Sequence, residues 1–274
     1  MDLRAYQKER AVLVDRYLDA SLPRAEEPPG ELHAAMRHML FPGGKRLRPV
    51  LACAAAEAAG AAAEVALPIA GAVELVHTYS LIHDDLPCMD DDALRRGRPT
   101  VHVVYGEALA VLSGDALLAA AFELLARAAT QGALQALAEL AAAAGSKALV
   151  GGQAADLACV SEAISAAGVE EVHRRKTAAL FRAAAVGGGY LAGADEETLK
   201  RLRRYGEAVG LGFQIADDLE DGDAGCSLPR AIGEAPARQR AEEFLEVALR
   251  ELDEFGERAE PLRELARYAI RRQL

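Results

Sequence analysis

Helix-forming residues fill almost the whole chain, and no stretch alternates apolar and polar residues as a half-buried strand does. That property restricts the fold more than any other. Alanine, leucine, glutamate and arginine dominate, β-branched residues are sparse, and aromatics make up only 5%. A sheet would lack the side chains that pack a pleated surface. Residues 3–20 carry an apolar stripe through Leu3, Val12, Leu13 and Leu18. Helical patterns recur near 30–41, 49–59, 64–84, 104–129, 131–144, 146–163, 169–192, 196–221, 235–255 and 258–272. The breaks between them hold turn chemistry, as in "PRAEEPPG", "FPGGKRLRP", "GRPT" and "DGDAGCSLP". The expectation is an all-α, single-domain bundle over residues 1–274, with about ten or more helices packed around a central cavity.

Against that uniform background one segment stands apart: "SLIHDDLPCMDDDALRRGRPT", residues 80–100. Asp84, Asp85, Asp90, Asp91 and Asp92 fall within nine residues. Taken alone, such a run is a solvated acidic face. On the helix leading into it, His77, Ser80, Leu81 and Asp84 share one side, with His77 roughly 10 Å before Asp84. Asp84 and Asp90 are six apart and would diverge on a regular helix. Pro87 removes a backbone donor between them, and a local bulge or kink there brings Asp90 back beside Asp84.

A second cluster, "GFQIADDLED", places Asp217 and Asp221 at i and i+4 with Gln214 one turn earlier. Two such clusters, each ending an apolar helix, need a cation. All-oxygen donors favour Mg²⁺, which completes its shell with water and substrate phosphate. Basic residues match a diphosphate partner: Lys45, Arg46 and Arg48 beside Gly43 and Gly44, then Arg95 and Arg96, then Lys176 with Thr177. No GxxxxGK[ST] phosphate loop is present.

The formal net charge of -11 argues against general affinity for nucleic acid or anionic membranes. Cys53, Cys88, Cys159 and Cys226 form no CxxC pair, as expected of reduced thiols in a cytoplasmic protein. The charged, amphipathic N-terminus is unlike a signal peptide. No charge-free apolar run reaches the roughly 20 residues of a membrane span, so none is expected.

In order, "GGKRLRP", "ELVHTYSLIHDDLPCMDDDALRRGRPT", "GGQAAD", "HRRKTAAL" and "GFQIADDLED" resemble the motifs of trans-isoprenyl diphosphate synthases. The likeness runs from about residue 30 to the end and is nearest to bacterial short-chain farnesyl and geranylgeranyl synthases. The resemblance implies the isoprenoid synthase fold, a homodimer, and magnesium at three ions per site. It implies that Asp84 and Asp90 ligate metal with Asp85 in support, and that Asp217 does so opposite them with Asp218 and Asp221. Arg95, Lys176 and Gln214 would contact an allylic diphosphate. Gly44, Lys45, Arg48, His77 and Arg96 would hold isopentenyl diphosphate. Gln153 and Thr177 would line the reacting region, and Phe213 would lie near the homoallylic substrate. Condensation by ionisation, alkene attack and proton loss would result. Tyr79 and Ser80, just before the first motif, would limit chain length; a tyrosine there resembles a farnesyl synthase, with a geranylgeranyl synthase as the alternative.

The chain departs from this pattern after Asp221, where "DGDAGCSLPRAIGEAPARQRAEE" is short and has no lysine, leaving Arg230 as the available cation. A non-catalytic partner subunit is one rival reading, although both acidic clusters are intact. An HD-type metal phosphohydrolase built on His83–Asp84 with His33 or His38 is another. A terpene cyclase fits poorly, because "DDLEDGDAG" lacks the serine or threonine and the later glutamate of its second metal motif.

Overall fold

The computed structural model describes residues 1–41, 43–159, 165–221 and 225–271; the side chain of Asp221 lies outside what it describes. The described residues are all-α apart from one short hairpin. In order, the helices are α1 (Leu3–Ser21), α2 (Gly30–Leu40), α3 (Leu47–Ala58), α4 (Leu67–Asp84), α5 (Val101–Tyr105) and α6 (Glu107–Ala126). Next come α7 (Ala133–Ala144), α8 (Leu149–Cys159), α9 (Ala166–His173), α10 (Ala179–Leu191) and α11 (Glu196–Asp221). The last three are α12 (Leu228–Ile232), α13 (Glu234–Glu251) and α14 (Glu260–Arg271). Short 3₁₀ segments precede α4 and α14.

Helix α4 explains the arrangement. Ile69, Val73, Leu75, Val76 and Ile82 are buried on several of its faces, so it must be surrounded by protein. Its neighbours include α1, α2, α3, α6, α7 and α10. Helix α10 in turn packs on α3, α7 and α11, and α11 on α13 and α14. Local signals set the ends: the Asp2 carboxylate accepts from the Ala5 N–H at 3.1 Å to cap α1, and Pro68 sits in the first turn of α4.

Three expectations need correction. Strands β1 (Leu94–Arg95) and β2 (Arg98–Pro99) form an antiparallel hairpin where none was expected. Its two-residue turn puts Arg96 at φ 54° and Gly97 at φ 73°, the left-handed pair that matches strand twist. The helix expected over 104–129 is broken at Gly106, φ 83°, into α5 and α6. The segments Ala63–Asp84, Glu107–Ala126 and Ala133–Cys159 are long and apolar enough, by length and composition, to cross a membrane. Counting only charge-free runs missed them, because one or two charged residues do not abolish that potential. In Ala63–Asp84 the apolarity is used inside the protein, where 67% of its apolar window is buried. All four cysteines are free thiols.

Tyr205 is fully buried on α11, and its hydroxyl donates to the Leu262 carbonyl on α14 at 2.8 Å. Tyr205→Phe is expected to lower unfolding stability by about 1–2 kcal/mol. Urea titration should show this as a lower midpoint at unchanged slope.

Candidate active site

Helix α4 ends at Asp84, and the turn beyond it decides where the first acidic cluster points. The Asp85 N–H still bonds Leu81 O at 3.1 Å, but the chain then coils tightly. The N–H of Met89 bonds Leu86 O at 2.8 Å, and that of Asp90 bonds Asp84 O at 2.9 Å. Asp90 is thus returned beside Asp84 by a turn closing the helix end; the sequence pointed to a local bulge or kink around Pro87, and Pro87 lies in this turn. Burial pushes the Asp84 carboxyl up to about 6, Lys176 pulls it down, and Asp90 raises it again.

Asp85 behaves differently. Its side chain is wholly buried and accepts from Arg95 Nε at 2.5 Å, while Arg95 Nη2 reaches Asp92 at 3.1 Å. Expected in support of the metal ligands, Asp85 is turned into the protein and holds Arg95. Its second oxygen is buried without a partner.

A π-turn at Arg174–Ala178 separates α9 from α10 and aims Lys176 and Thr177. Lys176 Nζ donates to Asp156 of α8 at 2.5 Å. That approach needs Gly152, since a Cβ there would lie 2.3 Å from the Lys176 amide nitrogen. Thr177 donates to Gln214 Oε1 at 2.6 Å, and Gln214 Nε2 donates to Asp218 at 3.0 Å. Gln214, expected on a diphosphate, is engaged at both ends of its amide. Asp218 is buried as well: it accepts the Leu228 N–H at 2.9 Å and lies 3.4 Å from His173 Nε2. Asp218, expected to assist metal binding beside Asp217, clasps the chain at Leu228. Ser227, Leu228 and Pro229 are buried. Asp217 is partly exposed on the preceding position of α11, and its charge reaches Arg48. The Asp221 carboxylate lies outside the described residues. Arg230 is exposed and donates to Gly225 O at 3.2 Å.

Two cavities share α4 as a wall. One, about 320 Å³, is lined by Gly44, Lys45, Arg46, Leu47, Arg48, Glu74, His77, Arg96 and Phe213. The structure therefore gathers Gly44, Lys45, Arg48, His77, Arg96 and Phe213, which the sequence grouped. Arg48 sits over the Phe181 ring at 4.5 Å and near Phe213 at 5.7 Å, with Nε buried and unpartnered. Burial lowers its guanidinium to about 10 against the opposing pull of Glu74 and Asp217. The other cavity, about 260 Å³, is lined by Tyr79, Ser80, His83, Asp84, Met89, Leu149, Val150, Gln153, Ala154 and Leu157. Tyr79 meets His83 edge-on at 5.7 Å, its hydroxyl is buried without a partner, and burial raises it to about 12. Gln153 Oε1 is likewise buried and unpartnered.

Sequence reasoning missed Glu74 and Asp156. Each carried a signal: Glu74 is an acid in the middle of an apolar helix, and Asp156 comes three residues after Gln153 within "GGQAAD". The phosphohydrolase constellation is not assembled. His33 faces Glu27 O, His38 faces Pro99 O and His83 faces Val111 O. Among the described residues no three His, Cys, Asp or Glu side chains gather as a ready metal cage. The donor set still fits magnesium, which takes one or two carboxylates and fills its shell with water and phosphate.

Comparison with known proteins gives a consistent picture. The polyprenyl synthetase family pattern matches residues 29–225. Geranylgeranyl pyrophosphate synthase, chloroplastic, of Catharanthus roseus is 43% identical across 97% of this chain and 80% of its own length. Geranylfarnesyl diphosphate synthase, chloroplastic, of Leucosceptrum canum is 47% identical over 80% of this chain, which spans 62% of that protein. The solved structure of an FPP/GFPP synthase from Zymomonas mobilis superposes with a TM-score of 0.91 at 39% identity, covering 98% of this chain and 99% of that one.

Burial, then the charges of Arg48, Arg96, Arg46 and Arg95, hold the His77 imidazole well below its ordinary value. The unfolded chain takes up this proton near pH ~6.5 and the folded one does not. His77 therefore costs stability as pH falls below that value and costs nothing above it. Between pH ~6.5 and ~5.5, wild-type stability is expected to fall more steeply than that of His77→Gln, by up to about 1.4 kcal/mol per pH unit. Chemical denaturation at stepped pH measures the difference.

Proposed function

The chain belongs to the polyprenyl synthetase family and is a trans-prenyltransferase; from this we propose that it condenses isopentenyl diphosphate with allylic diphosphates to a geranylgeranyl, twenty-carbon product. The observation that carries the reading is the pair of cavities on either side of α4: one cationic, one mainly apolar with Asp84 in its wall. A diphosphate suits the first, and a growing prenyl tail suits the second. Lys45, Arg48 and Arg96 bind the homoallylic diphosphate, with neutral His77 beside them. Asp84, Asp90 and Asp217 would hold magnesium. When bound, magnesium would neutralise charge on the departing allylic diphosphate. Lys176 and Arg95 add fixed positive charge near the same group. The apolar wall keeps water from the allylic cation; the isopentenyl double bond attacks it, and the new cation loses a proton to the released diphosphate. The intact acidic residues argue against a non-catalytic subunit.

The twenty-carbon assignment replaces the farnesyl expectation drawn from Tyr79. It rests on relatives named for longer products and on the apolar cavity, whose lining extends past Tyr79 to half-exposed Val150 and Leu157. The burial of Tyr79 in the wall favours farnesyl diphosphate as the second reading. Residues 1–274 act as a single synthase domain, supported by one hydrophobic core running from Val14 to Ile270. Exposed Val103 and Val104 on α5, with Val111 and Leu112 on α6, support a homodimer. The free thiols support a reducing compartment.

Chromatography of products from dimethylallyl, geranyl and farnesyl diphosphates tests the reading. Twenty-carbon product from all three is expected, and accumulation of fifteen carbons from the first two would restore the farnesyl assignment. Tyr79→Ala should lengthen the product, and Asp84→Asn should cut turnover about a hundredfold or more. Sedimentation should give a dimer that Leu112→Glu weakens.

A further inference from the structure

The cationic cavity holds an unexpected carboxylate. Glu74 is 3% exposed, one turn before His77 on α4. A buried acid is costly unless paired, so its partner matters. That partner is Arg46 Nη1. The other arms of the same guanidinium are also taken: Nε donates to Asp15 at 2.8 Å and Nη2 to Leu40 O at 2.5 Å. Arg46 is itself buried and adopts the left-handed backbone, φ 49°, that non-glycine residues avoid.

The turn around it is organised by this tie. A Cβ on Gly43 would lie 2.0 Å from the Arg46 guanidinium carbon, and one on Gly44 would lie 2.5 Å from that of Arg96. The glycine pair is thus packed between a guanidinium fixed to Glu74 and one that lines the cavity. Two residues beyond Arg46, Arg48 enters the cavity with Nε unpartnered. Within "KRLR", one arginine is therefore held inward by three contacts and the other left to the ligand. Glu74 also offsets the burial that disfavours charge on Arg48 and Arg96.

We propose that Glu74 is a positioning residue for the homoallylic substrate: by anchoring Arg46 it sets the 43–48 turn and aims Lys45 and Arg48 at the diphosphate of isopentenyl diphosphate. The inference rests on reading this cavity as the isopentenyl diphosphate site. Glu74→Gln keeps the shape and removes the charge. Arg46→Lys keeps a charge but cannot fork to Asp15, Glu74 and the Leu40 carbonyl at once.

Steady-state kinetics with each substrate varied, alongside thermal melts, tests this. Both variants are expected to raise the KM for isopentenyl diphosphate tenfold or more, with the allylic KM within about twofold of wild type. A role confined to stability would move melting temperature without splitting the two KM values. An unchanged isopentenyl KM in a folded variant, or a parallel rise in both, overturns the role of Glu74. Should Glu74→Gln fail to fold, Arg46→Lys decides alone. If wild-type protein makes no prenyl product, the failure lies with the proposed function. Isopentenyl diphosphate binding by calorimetry then still compares wild type with the variants, and equal affinity overturns the positioning role.

Discussion

A helix enclosed on all sides must be apolar nearly all round, and every ionisable group it carries must be balanced from elsewhere. Helix α4 is that helix, and the charges of the bundle are arranged about it. Glu74 is balanced by Arg46, and His77 stays neutral among arginines. Asp84, at the open end, instead feels the nearby Lys176, Arg95 and its own acidic neighbours. The unfilled demand for positive charge sits where the helix stops. That would be the physical basis for the proposed site to take a cation together with an anion.

A similar logic governs the arginines and acids around α4. Where an ion pair is completed within the protein, as in Asp85–Arg95, the residue orients its partner and is itself poorly placed to meet a ligand. Where a donor is buried and incomplete, as at Arg48 Nε, the cavity wall presents it to what enters. Asp218 and Gln214 belong to the first kind. Their chain of bonds from Thr177 to Leu228 ties the π-turn to the segment returning after α11. Within a post-motif segment that is short and without lysine, this clasp holds Leu228 against α11.

Much of the fold was legible because helix periodicity is local. Residues 3–20, 30–41 and 196–221 match α1, α2 and α11 closely, as strongly patterned segments should. The hairpin at 94–99 escaped, since two-residue strands have no period to detect. Gly106 escaped because a single glycine in a helical run does not announce a positive φ. The grouping of Lys45, Arg48, His77, Arg96 and Phe213 was readable through family motifs; spacing alone does not bring residues 45 and 213 together. Glu74 and Asp156 went unread because their importance lies in partners 28 and 20 residues away.

Composition, local period and motif are enough to establish the all-α class, the two acidic clusters, the basic residues that accompany them and the family. None of these requires knowledge of neighbours in space. Which charges remain available is a different matter, settled only by the packing of the helices. Packing turned Asp85, Asp218 and Arg46 inward and left Asp84, Lys45 and Arg48 at cavity walls, because partnering depends on which helices meet. No spacing rule within one stretch of chain encodes that choice.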